Sequence, residues 1–171
     1  MSQKKSGLKV SSDRLDKITL HAIKDVAKNV YEAIEAERKP NLELPLRSLA
    51  NVAYDESKGY FEIGGSKKTR TLTVNTVKTF AQTLRMMSLS KELIDTNDFA
   101  TKRDAYYQSK NWQEARFDEQ PESDTVMDDI EAMFSVYDIS RENLRFVPQE
   151  HGGAVAGELT VIDRDLESGA P

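Results

Sequence analysis

The chain has 171 residues, of which 38% are hydrophobic and 31% charged, so it is long enough for one ordinary domain and fits a globular rather than a disordered protein. It contains no cysteine, which excludes disulfides and thiolate metal sites, and its two histidines are too few for a histidine-rich metal centre. A net charge of −5 argues against a protein that coats nucleic acid through charge alone.

The charges are distributed unevenly along the chain. Residues 58–85 carry six Lys or Arg against one acid, and residues 113–138 carry nine acids against one Arg. This polarity is compatible with a basic face that binds DNA, and equally with two solvated faces of opposite sign.

The first 40 residues predict a flexible start, residues 1–13, and one long helix. Apolar residues recur at three- and four-residue steps over residues 14–38, which predicts an amphipathic helix that Pro40 ends. This apolar stripe can dock on another chain or pack on its own domain; it consists of Leu15, Ile18, Ala22, Val26, Val30 and Ile34. The start MSQKKSGLKV lacks the apolar core of a signal peptide, and no apolar run reaches the length of a membrane span. We therefore expect a cytoplasmic protein.

Strand signals precede the second helix. The stretch NVAYDESKGYFEIGG predicts a hairpin that turns at residues 55–59, and TRTLTV predicts a strand in which Leu72 and Val74 alternate with threonines. Asn75 is then predicted to open a helix that runs to about Ile94. Its inward face would hold Val77, Phe80, Ala81, Leu84 and Met87.

The second half of the chain predicts three more helices. Thr101 can cap the first of them, with Asp104 as its capping-box partner. The polar stretch NWQEARFDEQPES predicts a loop, and residues 125–134 predict a helix with Val126, Ile130, Met133 and Phe134 facing inward. A short helix is predicted from Ser140 to Phe146.

The chain then continues into HGGAVAGELTV, which predicts a Gly-rich turn followed by a strand, and ends in the polar tail DRDLESGAP. Helix, short turn, second helix and Gly-containing β wing is the order of a winged helix-turn-helix. We therefore expect an α+β fold with an N-terminal amphipathic helix. The segment GGAVAG lacks the Lys-Ser/Thr that follows in a phosphate loop.

Two adjacent tyrosines, Tyr106 and Tyr107, fall in the early part of the helix that Thr101 caps. Such a pair serves packing more often than chemistry, but neighbouring helical residues point about 100° apart, so one ring can be buried and the other exposed. Arg103 shares a helix face with Tyr107, and Lys102 shares one with Tyr106. A guanidinium can stabilise a phenolate and hold a phosphate in bidentate fashion.

The segments TKRDAYY, NW, ARFDEQPESDTVMDDIEAM and HGGAVAGELTVIDRD together resemble the A subunit of archaeal DNA topoisomerase VI. That family also includes the eukaryotic transesterase that makes meiotic double-strand breaks, and the resemblance covers about residues 15–165. It implies a winged-helix domain of the catabolite-activator type, here residues 41–162, that carries a catalytic tyrosine. It further implies that Tyr107 is the nucleophile, that Arg103 orients the scissile phosphate, and that Tyr106 packs or positions.

The implied reaction is transesterification by a type IIB topoisomerase that uses ATP to pass one duplex through another. Tyr107 would become joined to the 5′ end of a double-strand break. In the family, magnesium is bound by a Toprim domain and ATP by a separate B subunit, in an A₂B₂ complex whose active sites combine two A protomers.

No part of the 171 residues matches a Toprim domain. Asp163 and Asp165 form an Asp-x-Asp without a partner glutamate, so we expect no metal site here. Residues 163–171 would be a linker toward the missing domain, and residues 14–40 would contact the B subunit. The chain is expected to be an N-terminal part that is inactive alone.

Candidate contacts to duplex DNA are basic or aromatic side chains outside the catalytic pair. Lys67, Lys68 and Arg70 would contact the DNA backbone without reading its sequence. Arg141 and Arg145 would lie on a recognition-like helix over residues 140–146. The remaining candidates are Lys102, Tyr106 and His151.

A different class of function stays open. The chain could be a stand-alone winged-helix DNA-binding module whose tyrosines only pack. A gene that continues past Pro171 into a strand-helix-strand pattern with an acidic cluster would favour the enzyme, and a stop codon there would favour the module.

Overall fold

The computed structural model describes residues 4–57 and 59–148 and is an α+β structure, which confirms the predicted class. The helices are α1 Lys4–Glu35, α2 Val77–Thr96, α3 Lys102–Ser109 and α4 Gln120–Ser135. The strands are β1 Asn41–Pro45, β2 Val52–Asp55, β3 Tyr60–Ile63, β4 Lys67–Thr71, β5 Ala100–Thr101 and β6 Phe146–Val147. The predicted wing turn and strand, the polar tail and His151 lie outside the described residues.

Helix α1 begins at Lys4, so the prediction of a flexible segment through residue 13 was wrong for most of its length. Once a helix is nucleated, each added residue gains a backbone hydrogen bond, and no proline interrupts the chain before Pro40. The helix ends where Glu37 takes a left-handed φ of 54°.

The buried face of α1 differs from the predicted stripe. Ile23 and Val30 are buried, whereas Ile18 and Ile34 are 39% and 53% exposed. The helix packs against α2 of the same chain. The buried face of α1 therefore packs on its own domain, which is one of the two predicted alternatives. A contact between α1 and a B subunit stays a prediction.

The strands form three two-stranded sheets. The predicted hairpin is confirmed as antiparallel β2 and β3, with Gly59 at a φ of 76° in the turn. The predicted strand TRTLTV is displaced, since β4 ends at Thr71 and Val74 is 91% exposed. Its antiparallel partner β1 was not predicted, although Leu42 and Leu44 of NLELP are both buried by packing against α4.

Helices α2 and α4 contain most of the core. Helix α2 begins at Val77, one residue after Thr76, rather than at Asn75. Helix α4 begins at Gln120, so the predicted loop was wrong for residues 120–123. Pro121 lies in the first turn, where its missing N–H is not needed. The four predicted inward residues of α4, Val126, Ile130, Met133 and Phe134, are all buried.

The predicted helix over residues 140–146 is not formed. The segment is a turn that ends in β6, which pairs in parallel with β5 immediately before α3. Arg145 takes a positive φ of 66°, which no α-helix can contain, and its neighbours Leu144 and Phe146 are both fully buried. The recognition-like helix was therefore a wrong prediction.

Within residues 4–57 and 59–148, none of the helices combines the length and the apolar character that crossing a bilayer requires.

Candidate active site

Helix α3 starts at a capping box, as predicted. The Thr101 hydroxyl accepts a hydrogen bond from the Asp104 N–H at 3.1 Å, and the Asp104 carboxylate accepts one from the Thr101 N–H at 3.0 Å. The Thr101 hydroxyl also donates to that carboxylate at 2.7 Å. These hydrogen bonds lower the pKa of Asp104. The bond from the Thr101 hydroxyl has the larger effect, and the bond from the Thr101 N–H has the smaller one. The box fixes the first turn, from which Arg103 projects.

Tyr106 is held on both sides of its ring. The side chain is half-buried against the core, its hydroxyl donates to the Asp118 carbonyl at 3.1 Å, and the Lys110 Nζ lies 4.1 Å from its ring centroid. These contacts fit the packing or positioning role predicted for Tyr106.

Tyr107 differs from its neighbour. It is 57% exposed, and its hydroxyl has no hydrogen-bond partner among the described residues. Its ring centroid lies 5.6 Å from that of Tyr106. The phenol is therefore open to solvent, on a helix whose position is fixed by other side chains.

Arg103 is exposed one helical turn before Tyr107 on the same face of α3. No carboxylate in the part of the chain that the structure describes forms an ion pair with it. Its five N–H donors are available to an external anion, and a phosphate matches their fork geometry.

The other predicted cations are mostly engaged by α4. Asp129 is only 1% exposed and receives Arg70 at 2.6 Å and Lys68 at 3.5 Å. Arg47, which the sequence did not single out, contacts the same carboxylate at 3.2 Å.

The neighbouring carboxylate of Asp128 is also surrounded by cations. It pairs with Arg141 at 2.7 Å, with Arg47 at 3.0 Å and with Lys102 at 3.5 Å. Arg141 also pairs with Glu131. Lys68 and Arg70 of the basic segment thus pair with the acidic segment, which neither of the two predicted alternatives described.

The two remaining candidates among the described residues are also paired. Arg145 is 6% exposed, binds Asp16 at 2.7 Å and lies 4.6 Å over the Phe99 ring. That burial leaves it little surface for a phosphate. Lys67 forms an exposed pair with Glu43 at 3.0 Å. The DNA contacts of all these residues stay predictions.

No group of three or more His, Asp or Glu side chains within residues 4–57 and 59–148 is arranged to hold a metal ion. The three closest carboxylates of α4, Asp128, Asp129 and Glu131, face Arg and Lys side chains instead. These three side chains therefore do not fit a magnesium site.

The sequence did not single out Phe117 and Asp118, whose backbone carbonyls bind Lys110 at the end of α3. The Lys110 Nζ donates to the Phe117 carbonyl at 2.7 Å and to the Asp118 carbonyl at 3.3 Å. The Asp118 carboxylate binds Lys78 of α2 at 2.5 Å, and this hydrogen bond is the main cause of its lowered pKa. Backbone carbonyls as acceptors leave no residue pattern, so no signal in the sequence could have found this contact.

Known proteins match this chain over most of its length. Residues 78–145, which span α2, α3 and α4, match a family described as type IIB DNA topoisomerase. The chain is 45% identical over 150 residues to the A subunit of type 2 DNA topoisomerase 6 from Methanocaldococcus jannaschii, across 88% of this chain and 40% of that relative. The chain is similar to the A subunits of type IIB DNA topoisomerases.

Other topoisomerase 6 A subunits match over a similar length. The one from Methanothermobacter thermautotrophicus is 32% identical over 151 residues, covering 88% of this chain and 42% of that relative. The one from Archaeoglobus fulgidus is 31% identical over 150 residues, covering 86% and 40%. The chain thus spans about two fifths of the length of the type IIB topoisomerase A subunits that it matches. The predicted resemblance to archaeal A subunits is confirmed.

Proposed function

We propose that the chain is the tyrosine-bearing part of a DNA-cleaving transesterase, the A subunit of a type IIB topoisomerase. The observation that carries this proposal is the contrast within one helical turn. Among the described residues, the exposed phenol of Tyr107 has no hydrogen-bond partner and the guanidinium of Arg103 on the same helix face has no ion-pair partner. Tyr106, in contrast, is tied to the protein. Exposure alone does not distinguish Tyr107, since Tyr31 and Tyr137 are as exposed. The guanidinium of Arg103 on the same helix face distinguishes it.

In the proposed step, the Tyr107 oxygen attacks a backbone phosphorus of duplex DNA. A phosphorus–oxygen bond to the phenol forms, and the bond to the deoxyribose 3′ oxygen breaks. The phenol loses its proton and the 3′ oxygen gains one, so the step is balanced and leaves a 5′-phosphotyrosyl end. The new bond is again a phosphodiester, so religation requires no external energy source.

Arg103 would bind a non-bridging oxygen of the same phosphate and neutralise charge that develops on it. Phosphoryl transfer depends mainly on positioning and charge neutralisation, and an unpaired guanidinium at i−4 from the nucleophile supplies both. Lys102, at the preceding position of the helix, would have to leave Asp128 before it could contact DNA.

The remaining parts of the proposal follow from the A-subunit relatives. The domain would be a winged helix, and α1 would offer its exposed apolar residues, among them Ile18 and Ile34, to a B subunit. Two A and two B subunits would form the working enzyme. Magnesium would bind to a part of the A subunit beyond these residues, and ATP would bind to the B subunit. The 171-residue chain alone would then not cleave DNA.

The test uses the complete A subunit in complex with its B subunit, magnesium and ATP. Tyr107→Phe should abolish covalent protein–DNA adducts, and Tyr106→Phe should largely preserve them because its ring still packs. Reversed outcomes would mean that Tyr106 is the nucleophile. If the wild-type complex bound DNA but formed no adduct, the chain would instead be a winged-helix binding module.

A further inference from the structure

The backbone carbonyls of Phe117 and Asp118 are bound by Tyr106 of α3 and by Lys110, the residue that follows α3. The Tyr106 hydroxyl donates to the Asp118 carbonyl at 3.1 Å, and the Lys110 ammonium donates to the Phe117 carbonyl at 2.7 Å and to the Asp118 carbonyl at 3.3 Å. The same ammonium lies 4.1 Å from the Tyr106 ring centroid. Lys110 thus binds the segment and the tyrosine ring at once.

The segment that Lys110 binds is itself anchored. Phe117 is fully buried and its ring centroid lies 5.8 Å from that of Trp112. The Phe117 N–H donates to the buried hydroxyl of Ser109, the last residue of α3, at 3.5 Å. Asp118 is tied to α2 through Lys78 at 2.5 Å. The two carbonyls therefore stand at fixed points relative to the core.

A fixed Tyr106 ring constrains Tyr107. The two residues are covalent neighbours on a helix of eight residues, so rotation of α3 about its axis would move both Cα–Cβ bonds together. The capping box fixes the start of this helix, and Lys110 binds at its end. A displacement of about 1 Å at a reacting group can lower a rate about a hundredfold.

We propose that Lys110 is a positioning residue for DNA cleavage, which holds α3 in the rotation that aims the Tyr107 hydroxyl at the scissile phosphate. The inference rests on the proposed function. Its ammonium is occupied by two carbonyls and an aromatic face, which distinguishes it from Arg103. It acts on the reaction through the helix and not by contact with DNA.

The experiment measures single-turnover adduct formation and DNA affinity with the complete A subunit, its B subunit, magnesium and ATP. Lys110→Met keeps the length of the side chain but removes every donor, and should lower the cleavage rate by about ten- to a hundredfold at saturating DNA. The dissociation constant for DNA should change less than about twofold, because Lys110 does not contact DNA and its replacement removes no phosphate contact. Lys110→Arg, which can donate to both carbonyls, should restore most of the rate.

Lys91→Met is the matched control, because Lys91 forms an exposed pair with Asp95 on α2. This variant should cleave at the wild-type rate. Tyr106→Phe keeps the ring under the ammonium and should be impaired less than Lys110→Met. Circular dichroism monitors the folding of each variant. If Lys110→Met does not fold, Lys110→Gln replaces it in the experiment. Its amide can donate to one of the two carbonyls, so its cleavage rate should lie between those of wild type and a variant without a donor.

Three results would overturn the proposal: an unchanged cleavage rate in Lys110→Met, a loss of DNA affinity that accounts for the whole defect, or no rescue by arginine. Failure of the proposed function is recognised separately. In that case Tyr107→Phe would still form adducts, or the wild-type complex would form none, whatever the Lys110 variants did.

Discussion

Tyr106 and Tyr107 are adjacent in the chain and their ring centroids lie 5.6 Å apart, yet of the two only the Tyr106 hydroxyl is bound by residues that the structure describes. Tyr106 donates to a backbone carbonyl, whereas Tyr107 is 57% exposed. The angular step of a helix separates the two roles, because one ring can face the core while the next faces solvent. The short, capped helix α3 thus exposes the phenol of Tyr107 to solvent.

Arg103 is expected to act on cleavage more than on binding. Arg103→Ala in the complete complex should lower single-turnover adduct formation by about a hundredfold, since it removes charge stabilisation at one phosphate. DNA affinity should fall by much less, because other phosphate contacts remain. Rates at saturating DNA and dissociation constants at fixed salt provide the comparison. Equal losses in both would show that Arg103 is an ordinary backbone contact.

The capping box makes part of the stability depend on pH. The Thr101 hydrogen bonds lower the pKa of Asp104 in the folded protein, so its contribution is fully present above the unfolded pKa, near pH 4, and is lost as pH falls through the lowered folded value. Asp104→Asn should reduce the free energy of unfolding by less than about 1 kcal/mol at pH 7, because the amide still accepts the hydrogen bonds but the negative charge in the first helical turn is lost.

The difference between Asp104→Asn and wild type should shrink as the pH falls from about 5 to about 2. Urea unfolding at a series of pH values measures it. A difference that stayed constant over this range would contradict the assignment of the lowered pKa to the cap.

The buried ion pairs of Asp129 on α4 should contribute more to the free energy of unfolding than the exposed ion pair between Glu43 and Lys67. Asp129→Asn leaves Arg70, Lys68 and Arg47 facing a neutral amide at a site that is 1% exposed, and should lower the free energy of unfolding by about 3 kcal/mol. Glu43→Gln removes an exposed pair with Lys67 and should cost less than about 1 kcal/mol.

Both variants are compared with wild type by urea unfolding at neutral pH. Similar small effects would mean that water screens Asp129 despite its burial. A large effect of Glu43→Gln would mean that the surface pair is more strongly coupled to the fold than its exposure suggests.

The sequence predicted the elements in which local chemistry and packing agree. The cap at Thr101 and the turn at Gly59 depend on a few neighbouring residues, and both are confirmed. The inward face of α4, including Val126 and Phe134, followed from helical periodicity.

The errors arose where long-range contacts decide the structure. Residues 140–146 have enough helical character for a short helix, but parallel pairing of Phe146 with Ala100 selects an extended end. Pro121 suggested a loop because proline disrupts the interior of a helix. It is tolerated in the first turn, and the sequence did not show that α4 starts as early as Gln120.

The candidate site was predictable in its parts but not in its support. Spacing on a helix places Arg103 beside Tyr107 without any knowledge of the fold. The pairing of Arg70 with Asp129 joins residues 59 positions apart, and the role of the Phe117 carbonyl depends on backbone geometry alone. The charge pattern along the chain therefore suggested a basic face, whereas Lys68 and Arg70 are paired with Asp129 in the folded protein.

The most direct test of the central claim is peptide mapping of the covalent adduct. Cleavage complexes formed by the complete enzyme on labelled duplex DNA would be trapped, digested with nuclease and protease, and sequenced by mass spectrometry. The account predicts a 5′-linked nucleotide on the phenolic oxygen of Tyr107. A nucleotide on Tyr106, or on any other side chain, would contradict it.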